Sequence, residues 1–220
     1  MTFYEIYTST IMKIWGDTTP PTSGVSYIQD LISNIHRKLQ QDYNFWFMRA
    51  YTTWETVVDS QTYGAPAEFK EMINLQFKKE GESYFTDPMS VLKLTEPFVT
   101  QWNKNNGSVE YPEFYELQSD YITIYPAPSE IRTLHLIYWT FSSRPVAADW
   151  IEGSSTEDSV AAYLGEAISY IAASDYSLIQ KDYEQAKIYN DKANELIYNL
   201  KREDNRKRQA PLQYVEYQEI

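Results

Sequence analysis

The stretch Tyr121-Ile122-Thr123-Ile124-Tyr125-Pro126-Ala127-Pro128-Ser129, followed by Leu134-His135-Leu136-Ile137-Tyr138-Trp139, decides the fold class. Side chains alternate along both runs with the period of two that a pleated strand imposes, and prolines are excluded from central strands. The pattern predicts a β-hairpin turning at residues 126–129. Ile122 and Ile124 would line a buried face, with Tyr121, Thr123 and Tyr125 on a half-exposed one. Working outward, residues 50–142 are rich in β-branched and aromatic side chains and in turn signals. Strands are expected over 52–58, 72–77 and 109–117, with turns at Tyr63-Gly64-Ala65-Pro66 and Asn105-Asn106-Gly107.

Both flanks read as helix. Phe3, Ile6, Tyr7, Ile11 and Ile14 recur at helical spacing until Gly16, Pro20 and Pro21 end the segment. Ser26 with Gln29 suggests a capping box ahead of the apolar stripe Ile28, Leu31, Ile32, Ile35 and Leu39. Four aromatics, Tyr43, Phe45, Trp46 and Phe47, mark the exit of that helix, where core packing is expected ahead of a subunit contact. Ser154 with Glu157 suggests another capping box, Asp158 adds favourable charge to the first turn, and the stripe Val160, Leu164, Ile168 and Ile171 then begins a third helix. A single rod from 157 to 202 would reach about 70 Å at about 1.5 Å per residue. A turn at Lys181 and Asp182 is therefore expected, with a fourth helix presenting Ala186, Tyr189, Ala193, Leu196 and Leu200 inward to form an antiparallel helix hairpin.

Composition bounds the function. The 220 residues are 43% hydrophobic, enough for a real core, and 31 acidic against 19 basic side chains give a net charge of −12. That balance argues against a general DNA-binding surface. Cysteine is absent, so disulfides and thiolate metal sites are excluded. No signal peptide or membrane span is read, and the protein is expected to be soluble when made.

Nothing in the chain points strongly to catalysis. His36 and His135 are the only histidines, and the seven glycines show no phosphate-cradling spacing. No metal and no cofactor are expected. Glu110, Glu113, Glu116 and Asp120 lie among aromatics that could stack on sugar rings, which defines the alternative class: a carbohydrate-binding module or cell-wall glycoside hydrolase. With 31 acids, such groupings arise by chance, and solvated surface accounts for them more simply.

Taken in order, several features resemble the head-to-tail adaptor, or connector, proteins of tailed bacteriophages. They are Phe45-Trp46-Phe47 after the second helix, Tyr63-x-x-Pro66-x-x-Phe69, Ile122-Thr123-Ile124-Tyr125-Pro126-Ala127-Pro128, Leu134-x-Leu136-x-Tyr138 and the closing helix hairpin. The likeness covers nearly the full length. It differs in spacing at one place, where Gly107 stands five residues before Pro112. The resemblance implies a structural virion protein and no enzyme. Its fold would be α+β, a helical bundle (1–49 and 151–203) with a β-rich insertion (50–150) and an extended C-terminal arm (204–220). It further implies a ring of about twelve copies on the portal protein at the head-tail junction, assembled in the host cytoplasm. Such a ring would extend the DNA channel, pass DNA without sequence-specific binding and offer a surface to downstream tail proteins.

The tail fits an arm. Leu212, Tyr214, Val215 and Tyr217 alternate after Pro211. Burying them contributes about 6–12 kcal/mol, while fixing six backbones costs about 6–12 kcal/mol. The arm would therefore order only with added backbone hydrogen bonds, as in β-augmentation, or when many arms engage one ring. Arg206, Lys207 and Arg208 close the preceding basic run and suit a helix C-terminus facing an acidic neighbour, serving as electrostatic guides more readily than as DNA ligands.

Overall fold

The computed structural model describes residues 1–16, 25–78, 88–91, 108–118, 120–154 and 158–209. It is an α+β protein that divides into two compact units, one formed by Met1–Met48 with Phe141–Ile220 and the other by Arg49–Thr140.

Four α-helices in the described residues build the first unit: α1 (Phe3–Trp15), α2 (Val25–Asp42), α3 (Ser159–Ile179) and α4 (Tyr183–Gln209). The start of α1 is a capping box: Thr2 Oγ1 accepts from the Glu5 N–H and the Glu5 carboxylate accepts from the Thr2 N–H. Gly16, at φ 69°, closes it in the left-handed conformation that glycine reaches without steric cost. The stripe of α2 buries Ile28, Ile32, Ile35 and Leu39 as expected. Ser26 is not a cap, because the helix already includes Val25. At α3 the cap is Asp158, whose Oδ1 accepts from the Ala161 N–H at 2.6 Å, and not Ser154.

The expected break between α3 and α4 is present. Lys181 has φ 62°, and Asp182 Oδ1 caps α4 through the Gln185 N–H at 3.1 Å. Small side chains set the packing: Ala167, Ala172, Ala173, Ala186 and Ala193 are all buried, and Ser174 Oγ donates to the Ala186 carbonyl at 2.8 Å. α1 packs along α3, where Gly165 gives room to Met1 and Ile6. A 3₁₀ turn, Ala147–Trp150, belongs to this unit; Trp150 meets the rings of Phe3 and Tyr7 at centroid distances of 5.8 and 6.2 Å.

Among its described residues the second unit holds two larger sheets and a small one. β1 (Arg49–Glu55), β9 (Thr133–Thr140) and β3 (Phe69–Phe77) form an antiparallel sheet in the order β1-β9-β3. β2 (Thr62–Gly64), β7 (Tyr121–Tyr125), β6 (Phe114–Gln118) and β4 (Ser90–Val91) form the second, in the order β2-β7-β6-β4 with β4 parallel to β6. β5 (Ser108–Val109) pairs with β8 (Ala127–Pro128). Both larger sheets feed one core: Leu75, Phe77, Leu134, Leu136 and Tyr138 from the first, with Tyr63, Ile122 and Ile124 from the second.

The hairpin predicted from 121–125 and 134–139 is not formed, although both strands are. β7 pairs with β6, and β9 pairs with β1 and β3. Pro126 and Pro128 supply no N–H to a hairpin ladder, and Ala127–Pro128 instead pairs with β5 as the chain crosses between sheets. β7 is central in its sheet, with β2 on one edge and β6 on the other, and Ile122, Thr123, Ile124 and Tyr125 are all buried, while Tyr121, 56% exposed, reaches solvent.

Candidate functional site

Segment 43–48 and the last turns of α4 meet in the helical unit, and this meeting builds the site. Phe45 and Met48 are buried anchors, while Trp46 and Phe47 are half-buried. Phe47 stacks on Tyr163 of α3 with centroids 4.6 Å apart, and Trp46 meets the same tyrosine edge-on at 5.2 Å. Phe45 and Phe47 stack at 5.3 Å. The expected core role of these aromatics thus holds for Phe45, while Trp46 and Phe47 form a platform that remains partly open.

α4 fastens onto this platform through charge. Asp204 is buried; one carboxylate oxygen accepts from the Trp46 N–H at 2.8 Å and the other pairs with Arg208 Nε at 2.7 Å. Arg208 also donates to the Asn44 carbonyl. Lys207 lies 3.6 Å from the Trp46 ring centroid and bonds Glu203 at 2.8 Å, one turn back. Lys201 lies 4.1 Å from the Tyr43 ring centroid. An ammonium over an aromatic face is attracted by the ring quadrupole, by about 0.5–1 kcal/mol when exposed.

The sequence-predicted residues separate here. Arg206, Lys207 and Arg208 all lie on α4, which runs on to Gln209; Arg206 is exposed, and Lys207 and Arg208 have the partners just described. Leu212, Tyr214, Val215 and Tyr217 lie outside the described residues. Sequence reasoning missed Asp204 and Tyr163. Asp204 was legible only as part of a charged run, and nothing local marks the one acid in it that turns inward.

Alongside the platform runs a half-open groove of about 220 Å³ between α3 and α4, lined by Tyr163, Leu164, Ala167, Leu196 and Leu200 with Glu166, Asn199 and Glu203. Burial pushes the Lys13 ammonium below its usual range, against the opposing pull of Glu166. Two of the four carboxylates weighed for sugar chemistry are engaged elsewhere. Glu110 pairs with Arg132 at 2.9 Å and Glu116 accepts from the Tyr125 hydroxyl at 3.2 Å. Among the described residues no group of three or more His, Asp or Glu side chains is placed to hold a metal ion, and no helix is long and apolar enough to cross a membrane.

Such a site suits protein docking: partly exposed aromatic rings, an arginine and an apolar groove are features enriched at interfaces. The family model described as SU10 adaptor protein matches residues 1–214. The chain belongs to the SU10 adaptor protein family. It is therefore a phage adaptor, structural rather than catalytic by that description, and its work is binding other virion proteins. No curated protein matches the chain significantly.

For this adaptor the buried Asp204 is the fastener that matters most. Asp204→Ala leaves the Trp46 N–H without its acceptor and takes one of its partners from the Arg208 guanidinium, which should cost about 2 kcal/mol. Faster amide hydrogen exchange at Trp46 and over the last two turns of α4, with the second unit unchanged, is the expected result. Unaltered protection there would show that α4 is held by its apolar contacts alone.

Proposed function

We propose that this adaptor forms a ring of about twelve copies beneath the portal, at the head-tail junction, extending the DNA channel and presenting the attachment surface for the tail. The observation that supports the reading is the fastening of α4 onto the platform around Trp46, through Asp204, Lys207 and Arg208. A helix held at its last turns ends at a fixed point of the helical unit. The docking arm is assigned to the segment beyond it, with Leu212, Tyr214, Val215 and Tyr217 as anchors on the portal or a neighbour. Arg206 serves as the outward guide, and Lys207 and Arg208 combine guidance with fastening. The net charge of −12 suits a channel past which DNA slides without sticking.

Deleting residues 210–220 tests the assignment. The truncated chain should keep its circular dichroism and melting transition yet fail to join the portal from the same genome, as read by mass in solution. Attachment at wild-type level would remove the arm from the account.

A further inference from the structure

The outward side of α4 near its C-terminal end carries a row of side chains that the fastening onto Trp46 does not use. Tyr198, Arg202, Asn205 and Arg206 are all exposed, and neighbours three and four apart share one side of a helix. Ala193, Ile197 and Asp204 are buried on the other side. Between Tyr198 and Arg208 the helix holds five cations and two carboxylates. Both carboxylates are taken, Glu203 by Lys207 at 2.8 Å and Asp204 by Arg208 at 2.7 Å. Lys201 lies over the Tyr43 ring, the Arg202 guanidinium is 6.0 Å from the Tyr198 ring centroid, and neither Arg202 nor Arg206 pairs with a carboxylate among the described residues. Of the acids bordering the row in sequence or beside Tyr43, Glu195 is bound by Lys192 at 3.1 Å and Asp42 is exposed.

We propose that this row binds the sugar-phosphate backbone of nucleic acid, with Arg202 and Arg206 on the phosphates of one strand, Lys201 at the margin, and Tyr198 and Asn205 donating beside them. Arginine, lysine, tyrosine and asparagine are side chains that donate to phosphate oxygens, and such contacts read no sequence. From Tyr198 to Arg206 the row extends about 12 Å at about 1.5 Å per residue, the axial length of about three or four phosphates of a strand at about 3.4 Å each. An acidic protein surface fits less well, because its carboxylates come interleaved with cations. On this chain Arg132 pairs with both Glu110 and Glu130, and Lys192 sits on Glu195. A polyanion meets the row with uninterrupted negative charge. Three cations on a chain of net charge −12 hold a duplex loosely, so the contact aligns nucleic acid without arresting it. Arg206 keeps its guiding role, which acts at long range, while the phosphate contact acts at short range. The contact goes beyond the ring reading and does not depend on it.

The chain has no cysteine, so a single thiol can carry a photoactivatable cross-linker. Asn205→Cys places it within the row and Asn194→Cys places it one to two turns above the row on the same helix, both at exposed positions. Each full-length variant is irradiated with a short duplex DNA of random sequence. A DNA adduct several-fold more abundant from position 205 than from 194 is expected. Its yield should fall by roughly 15–60-fold between about 50 and 200 mM salt, as two to three neutralised phosphates require. Adding Arg202→Glu with Arg206→Glu should lower the yield at least five-fold. Lys187→Glu with Lys192→Glu, the same change of net charge on the same helix, should lower it less than two-fold, with circular dichroism confirming that both keep their helices. Equal adducts from the two positions, or equal losses in the two charge-reversed variants, would overturn the proposal. So would a position-205 probe that captures protein and leaves DNA at background, which would give the row to an acidic segment such as the one holding Glu216 and Glu219. All of these are read on the free chain, so the portal-ring reading neither rescues nor sinks the result.

Discussion

Gly165→Leu is expected to destabilise the helical unit by about 3 kcal/mol or more, the largest effect of any single change considered. A Cβ at this position would stand 3.0 Å from Met1 Cβ and 3.1 Å from both Cγ1 and Cδ1 of Ile6, in the contact between α1 and α3. Glycine inside a helix costs about 1 kcal/mol against alanine, so its presence at a buried mid-helix site marks the close approach of Ile6. Leucine requires α1 to move away, which opens the packing of Ile6 and Ile11, both fully buried. Gly165→Ala separates the two contributions. It recovers the helical propensity and asks Ile6 to yield by only a few tenths of an ångström, so its stability should lie close to that of the parent. Urea unfolding followed by circular dichroism measures both, and a leucine variant within 1 kcal/mol of the parent would mean that α1 is free to shift.

His36→Ala should cost nearly as much, about 3 kcal/mol, by a different mechanism. His36 is fully buried on α2, and its ring packs edge-on against Phe3 at 5.2 Å. Its Nε2 meets Asp158 Oδ2 at 2.9 Å and Gln40 Nε2 lies 3.1 Å from its Nδ1, while Gln40 Oε1 accepts from the Ser142 N–H at 2.5 Å. The acceptors fix the tautomer: Gln40 donates to Nδ1, so Nε2 carries the proton and donates to Asp158. Asp158 is also the cap of α3. One imidazole thus ties α2, the start of α3 and the first residues after β9 into a single network. Alanine leaves a cavity and removes the partner of two side chains at once. A double-mutant cycle with Asp158→Asn should show coupling above about 0.5 kcal/mol; strictly additive losses would show that cavity formation alone sets the cost.

Much of this fold was legible in the chain because the signals concerned are local. The stripes of α1 and α2 and the break at Lys181 and Asp182 depend on spacing and capping within a few residues, and each appears where the spacing puts it. Strand positions were legible in part, since alternation is a property of one strand: 72–77 falls inside β3, but the strand expected over 52–58 is β1 at Arg49–Glu55, the one expected over 109–117 is broken into β5 and β6, and Tyr63 and Gly64, expected in a turn, belong to β2. Pairing is a property of two, and there the sequence misled: β7 and β9 are both strands, but nothing in Ile122-Thr123-Ile124 or Leu134-His135-Leu136 names its partner. Period two also failed to foresee that Thr123 and Tyr125 are covered, because alternation along one strand says nothing of what packs on its second face. At the site, cations were found and their partners were not. Lys207 and Arg208 look like solvated charge in a run of like residues, and only the fold reveals the Trp46 ring, the Asn44 carbonyl and the inward-facing Asp204 that occupy them.

The interruption of the helical unit between Met48 and Phe141 has a kinetic consequence during synthesis. When α1 and α2 leave the ribosome, the partners they need, α3 above all, do not yet exist. At about 5–20 residues per second, the whole of Arg49–Thr140 takes on the order of 5–20 s to be made. Throughout that interval Phe3, Ile6, Ile11, Ile28 and Ile32 have no α3 to cover them, whereas the sheets of the second unit are contiguous in sequence and can close as soon as β9 emerges. The nascent chain should therefore fold from its middle outward. Its N-terminal helices would be the segment most exposed to chaperones and proteases until the last third of the protein arrives.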